Sequence, residues 1–108
     1  MDFDLLFEKA PLAPVIIQDA KTKQVLMLGY TNREALELTL KTKTAWFWSR
    51  SREKLWNKGE SSGNFLHVKG IYADCDDDTL LYLCDPDGPT CHTGSVSCFF
   101  KPILEDEI

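Results

Sequence analysis

The sequence predicts a small single α+β domain with a mixed or antiparallel sheet and few helices. Three observations carry that expectation. The chain has 108 residues, the size of one domain, since domains usually run ~100–150 residues. Short runs rich in β-branched, aliphatic and aromatic residues outnumber helical ones. The connections between them are short, with no repeat, linker or low-complexity stretch.

The elements follow in order. Val15-Ile16-Ile17 and Val25-Leu26-Met27-Leu28 flank residues 19–23 and read as two strands joined by a turn. Thr31 and Glu34 stand at capping-box spacing, the hydroxyl accepting from an orphan N–H and the carboxylate returning a bond. A helix carrying Leu36, Leu38 and Leu40 follows and should fade by Lys41-Thr42. Residues 44–48 are aromatic and strand-like, and residues 65–73, 80–84 and 96–100 give three further short strands.

Composition narrows the function classes. Hydrophobic residues are 44% and charged residues 27%, a globular balance that excludes general disorder. No apolar run approaches the ~20 residues of a membrane span. The N-terminus, MDFDLLFEKA, is acidic where a signal peptide is basic, so a cytoplasmic location is expected. Seventeen acidic residues against 12 basic ones give a net charge of -5, which disfavours non-specific nucleic-acid binding. A domain this size buries only ~60–65% of its unfolded surface, so a metal or a partner chain would add stability.

Charge is nevertheless segregated. Residues 41–58 carry Lys41, Lys43, Arg50, Arg52, Lys54 and Lys58 against Glu53 alone. Residues 74–87 carry six aspartates and no base. Either block reads plainly as solvated surface. Together they suit an anionic substrate on one side and cations on the other.

Asp74-Cys75-Asp76-Asp77-Asp78 is the densest segment. If extended, it places Asp74, Asp76 and Asp78 on one face and Cys75 and Asp77 on the other. Three carboxylates on one face repel unless a cation neutralises them, and hard oxygen ligands suit Mg²⁺ or Ca²⁺. An exposed acidic turn is the plain alternative. An EF-hand is excluded, because the glycine and terminal glutamate are missing at the required spacings.

The second dense segment is Gly88-Pro89-Thr90-Cys91-His92-Thr93-Gly94-Ser95-Val96-Ser97-Cys98-Phe99. The reducing cytoplasm leaves metal binding, catalysis or core packing as roles for the four cysteines. Cys91 and Cys98 with Cys75 would make a three-thiolate zinc site with its fourth position open, as catalytic zinc requires. His92 would be a fourth ligand closing a structural site, or a nearby base. Buried cysteines and a capping histidine are the plain alternative. Cys84, in Leu80-Leu81-Tyr82-Leu83-Cys84, reads as core, and His67, among apolar neighbours, as a strand residue. Ser49-Arg50-Ser51-Arg52 and Lys58-Gly59-Glu60-Ser61-Ser62-Gly63-Asn64 form the basic side, where arginine forks and the N–H groups of a Gly/Ser turn suit phosphate. Trp46, Trp48 and Trp56 read as core in preference to base-stacking platforms.

Taken together, these segments resemble the phosphoribosyl-AMP cyclohydrolases of histidine biosynthesis. The resemblance runs from about Ala13 to Phe100. It rests on Trp48-Ser49-Arg50-Ser51-Arg52, Leu55-Trp56-Asn57-Lys58-Gly59-Glu60, Ser62-Gly63-Asn64, the acidic segment and the Cys91–Cys98 segment. It implies one such domain over residues 1–108 that opens the adenine ring of phosphoribosyl-AMP, adding water at C6 and breaking the N1–C6 bond. The product is a formimino aminoimidazole carboxamide ribotide. It further implies zinc on Cys75, Cys91 and Cys98, one ion per subunit, with Cys75 supplied across an intertwined homodimer. Mg²⁺ falls to Asp74, Asp76 and Asp78, and His92 becomes a general base. Arg50, Arg52, Lys58, Glu60, Ser62 and Gly63 meet the small-molecule nucleotide substrate. In many members this domain is fused to a pyrophosphohydrolase, and the acidic tail Glu105-Asp106-Glu107 does not decide whether that applies here. Asp77 is a fourth carboxylate outside the implied magnesium set.

Two rivals explain less. A zinc-dependent nucleobase deaminase also attacks a purine C6, but needs His-x-Glu and Pro-Cys-x-x-Cys, and neither occurs. A zinc-stabilised binding module with a Cys₃His site explains the cysteines but leaves the aspartates and the basic turn without a purpose.

Overall fold

The computed structural model describes residues 3–106. A short helix α1 (Phe3–Leu6) precedes the hairpin strands β1 (Ala13–Asp19) and β2 (Val25–Thr31). Helix α2 (Arg33–Thr42), strands β3 (Trp46–Ser49) and β4 (Lys54–Asn57), and the long pair β5 (Leu66–Ala73) and β6 (Leu80–Pro86) follow. The main sheet has the order β2-β1-β6-β5, and β3-β4 form a second, two-stranded sheet. β1 runs parallel to β6 and antiparallel to β2, while β5 and β6 are antiparallel. The mixed-sheet α+β expectation is therefore met.

Alternation explains why β1 and β6 are central. Val15 and Ile17 of β1, and Leu80, Tyr82 and Cys84 of β6, are all buried on the face that meets Leu26, Leu36 and Phe47. The predicted turn between β1 and β2 also forms, its backbone held by Asp19 Oδ1, which accepts from the N–H groups of Lys21 (2.8 Å) and Thr22 (3.1 Å).

Four details differ from the sequence reading. The cap of α2 is Asn32, whose Oδ1 accepts from Ala35 N–H at 2.8 Å. Thr31 instead ends β2 as a buried residue. Asp74 to Asp78 is a turn, not an extended run. Asp74 Oδ1 accepts from the N–H groups of Asp78 (3.0 Å) and Thr79 (3.2 Å), and Asp77 has φ +55°. A carboxylate that bonds its own backbone a few residues on closes a turn, and that wins over strand alternation. Residues 96–100 are not a strand either. Ser97 Oγ donates to Val25 O (2.7 Å) and Cys98 N–H to Leu26 O (2.8 Å), so the segment leans on the edge of β2 through isolated bonds. Finally, α1 and β4 were not anticipated. β4 pairs with β3 from Trp46↔Asn57 to Ser49↔Lys54, which makes the basic segment a hairpin.

Candidate active and metal sites

Two loops from distant parts of the chain make one cavity of about 320 Å³. The first loop leaves β4. Lys58 N–H donates to Ala45 O (3.0 Å), and Gly63 N–H returns to Gly59 O (2.7 Å). Gly59 has φ +103°, and a Cβ there would lie 2.7 Å from the backbone of Asn64 and Phe65. Only glycine fits that turn. The second loop leaves β6 through Gly88 and Pro89. It folds back on itself where Thr90 N–H meets Val96 O (3.2 Å) and Cys91 N–H meets Ser95 O (3.1 Å). Asn64 Nδ2 donates to Pro89 O at 3.4 Å and ties the two walls together.

Lys58, Ser62, Cys91 and His92 all line this cavity. Cys91 is buried, and its sulfur accepts from Thr93 Oγ1 at 3.1 Å. That bond, with the Cys98 thiol donating and the Lys58 ammonium nearby, holds the Cys91 thiol below its usual range. Cys98 moves the other way, raised by burial and by the adjacent Cys91. One sulfur of the pair is thus favoured as thiolate, and two adjoining soft donors fit zinc. Cys84 is the contrast. It is fully buried in the core, and burial pushes its thiol up to about 12, so its reading as core holds.

A second cavity of about 530 Å³ lies against β2 and the β3–β4 hairpin, lined by Tyr30, Trp48, Ser49, Arg50 and Ser51 among others. The Arg50 guanidinium sits 3.9 Å from the centre of the Tyr30 ring, a stacked cation–π arrangement. Trp56 borders both cavities. Its ring has Lys58 Nζ 5.3 Å and Arg52 Cζ 5.9 Å from its centre, with Phe47 packed at 5.6 Å. Arg52, Glu60 and Gly63 are exposed and line neither of these cavities.

The acidic turn lies at the opposite end of β6. Among the described residues, Asp74, Asp76 and Asp78 are the one group of three metal-ligating side chains whose ligand atoms converge, all within 4.8 Å of one another. The predicted trio does come together, through a turn. Two backbone N–H bonds hold the Asp74 carboxyl below its usual range. Cys75 is exposed in that same turn. It is not brought to Cys91 and Cys98 within one chain. The seven residues of β6 separate the two ends by about 20 Å at ~3.3 Å per residue.

Sequence reasoning missed several site residues. Trp56, read as core, separates the cavities. Thr90, beside Cys91, carries a buried Oγ1 with no hydrogen-bond partner among the described residues, and its place before a buried cysteine was the only signal. Tyr30 carried no signal at all. His67 is a strand residue as expected, its Nε2 at 2.9 Å from both Asp87 carboxylate oxygens.

A family model described as phosphoribosyl-AMP cyclohydrolase matches residues 27–100. The chain is 60% identical over 99 residues to the phosphoribosyl-AMP cyclohydrolase of Cenarchaeum symbiosum, covering 91% of this chain and 92% of the relative. It is 56% identical over 105 residues to that of Archaeoglobus fulgidus, covering 97% of each. It is also 56% identical over 104 residues to the histidine biosynthesis bifunctional protein of Bacillus subtilis, covering 96% of this chain and 50% of that relative.

Proposed function

The chain belongs to the phosphoribosyl-AMP cyclohydrolase family, and from that premise we propose that it hydrolyses the N1–C6 bond of phosphoribosyl-AMP in histidine biosynthesis. The observation that carries the reading is the single cavity in which Lys58, Ser62, Cys91 and His92 meet. Water adds to C6 and its oxygen stays as the carboxamide oxygen, while N1 departs with a proton. Cys91, Cys98 and a Cys75 would hold zinc, which would supply the Lewis acidity that makes water nucleophilic near neutral pH. His92, exposed at the cavity, holds the proton released from water and passes it to N1. Lys58 and the Gly/Ser turn take one phosphate of the substrate, and Arg50 with Ser49 and Ser51 the other. Lys58 in one and Arg50 in the other of two cavities that share Trp56 support that division. Arg52, Glu60 and Gly63 shape the same segments from outside.

The working form is a homodimer in which Cys75 of one protomer completes the partner's site. The separation of Cys75 from Cys91 along β6 supports this. So do the exposed apolar side chains around and after Cys98 (Val96, Phe99, Phe100, Ile103 and Leu104), on a segment that Ser97 and Cys98 tie to the edge strand β2, where Val25 and Leu28 are exposed as well. Exposed apolar patches of this kind mark protein–protein contacts. Asp74, Asp76 and Asp78 hold Mg²⁺. Among the described residues no helix is long and apolar enough to cross a membrane, and four free thiols suit the reducing cytoplasm. The test is ring opening followed by ultraviolet absorbance, before and after zinc chelation. Turnover lost to the chelator and restored by zinc is expected; no turnover by the folded, zinc-loaded protein contradicts the reading.

A further inference from the structure

Lys9 belongs to none of the motifs, yet its ammonium sits in the acidic turn. Nζ donates to Asp78 Oδ2 at 3.1 Å and to the Asp76 carbonyl oxygen at 3.4 Å. The other Asp78 oxygen, Oδ1, already accepts from the Thr79 hydroxyl at 3.2 Å. Lys9 thus occupies Oδ2, the Asp78 oxygen that the Thr79 hydroxyl leaves alone. The lysine is delivered by the segment after α1, which is anchored by the buried Leu6 and by Phe3 and Phe7 packed on the core. Its side chain is 61% exposed, so the tip can leave without disturbing that anchor. An ammonium uses the carboxylate through an N–H, whereas a divalent ion binds the lone pair directly and adds its own positive charge. On one carboxylate the ammonium and a divalent ion would stand a few ångströms apart as like charges, so they compete for Asp78.

We infer that Lys9 is the resident counter-cation of the acidic turn, and that a divalent ion enters only by displacing it. Lys9 then sets the affinity of the cation site. The inference rests on the magnesium assignment above. Magnesium binding to the full chain, followed by calorimetry at low ionic strength, tests it with Lys9→Met and Lys9→Arg. Lys9→Met should bind about two- to five-fold more tightly, the scale of an exposed ion pair removed, and Lys9→Arg should stay near wild type. A second readout needs no variant. Acetylation of the wild-type Lys9 amine, followed by mass spectrometry with Lys21 as internal reference, should rise at saturating Mg²⁺. Equal affinity in wild type and Lys9→Met, or Lys9 reactivity unchanged by saturating Mg²⁺, overturns the inference and leaves the magnesium assignment standing. No Mg²⁺ binding by either chain overturns both.

Discussion

At one end of β6, the segment 74–78 folds on its own backbone into an exposed turn in which the Asp74, Asp76 and Asp78 carboxylates face one another. At the other end, a buried cysteine and an exposed histidine meet a lysine and a serine from a loop some thirty residues earlier in the chain. The first end is local and hard, built from oxygen ligands that are sequence neighbours. The second is assembled by the fold and soft, its sulfur donors tuned by Thr93, Cys98 and Lys58. Cys75, an exposed soft thiol in the hard end, is the link between them that the proposed function calls for. A local site can be complete within one chain, whereas the proposed zinc site would need a thiol that its own chain holds about 20 Å away, by the rise of β6.

Breaking the soft end should have the largest effect. Cys91→Ser and Cys98→Ser should each lose zinc and turnover together, by more than the roughly 10–100-fold that the loss of a supporting residue costs. Cys84→Ser, by contrast, should keep zinc. Its hydroxyl would be buried in the core at a cost of about 1–3 kcal/mol in urea unfolding. Retained zinc in Cys91→Ser would erase the distinction between the two thiols.

His92→Ala should lower turnover about 10²–10⁴-fold, the range of general acid–base catalysis, with zinc content and melting temperature unchanged because the side chain is exposed. Wild-type turnover would remove His92 from the reaction. Gly59→Ala forces a Cβ to 2.7 Å from the Asn64 and Phe65 backbone at φ +103°. It should cost about 1–3 kcal/mol and raise KM as the phosphate wall shifts; an unaltered KM would detach that turn from substrate.

The hard end should respond least, and to acid. The folded-state pKa of Asp74 is lowered by its backbone bonds, so its stabilising effect is fully present above the unfolded value of about 3.9. It is lost as pH falls through the lowered folded value. Stability of wild type measured against pH should therefore decline below about pH 4 more steeply than that of Asp74→Asn. Parallel curves would show that the turn does not depend on the ionised carboxylate.

The same contrast explains what the sequence revealed. The Asp74, Asp76 and Asp78 cluster is visible because its members are close in sequence, although strand alternation predicts the wrong local geometry where Asp74 captures backbone N–H groups. The central strands were visible because Val15 and Ile17, and Leu80, Tyr82 and Cys84, alternate with half-buried neighbours. The cavity was only half legible. Lys58, Ser62, Cys91 and His92 were each singled out, but no periodicity reports that two loops are stapled by Asn64 and Pro89. Trp56 reads as core in any local window, and its place between two cavities depends on the β3–β4 pairing. Lys9 was invisible because its contact spans most of the chain.

In the proposed homodimer, each zinc site draws Cys75 from one protomer and Cys91 and Cys98 from its partner. Mixing two inactive variants tests it most directly. Cys75→Ser and Cys91→Ser, unfolded together and refolded at equal concentration, should regain roughly a quarter of wild-type turnover. Half the dimers would be mixed, and each mixed dimer would carry one intact site of two. No recovery, with mixed dimers demonstrated by mass spectrometry, would contradict a site shared between chains.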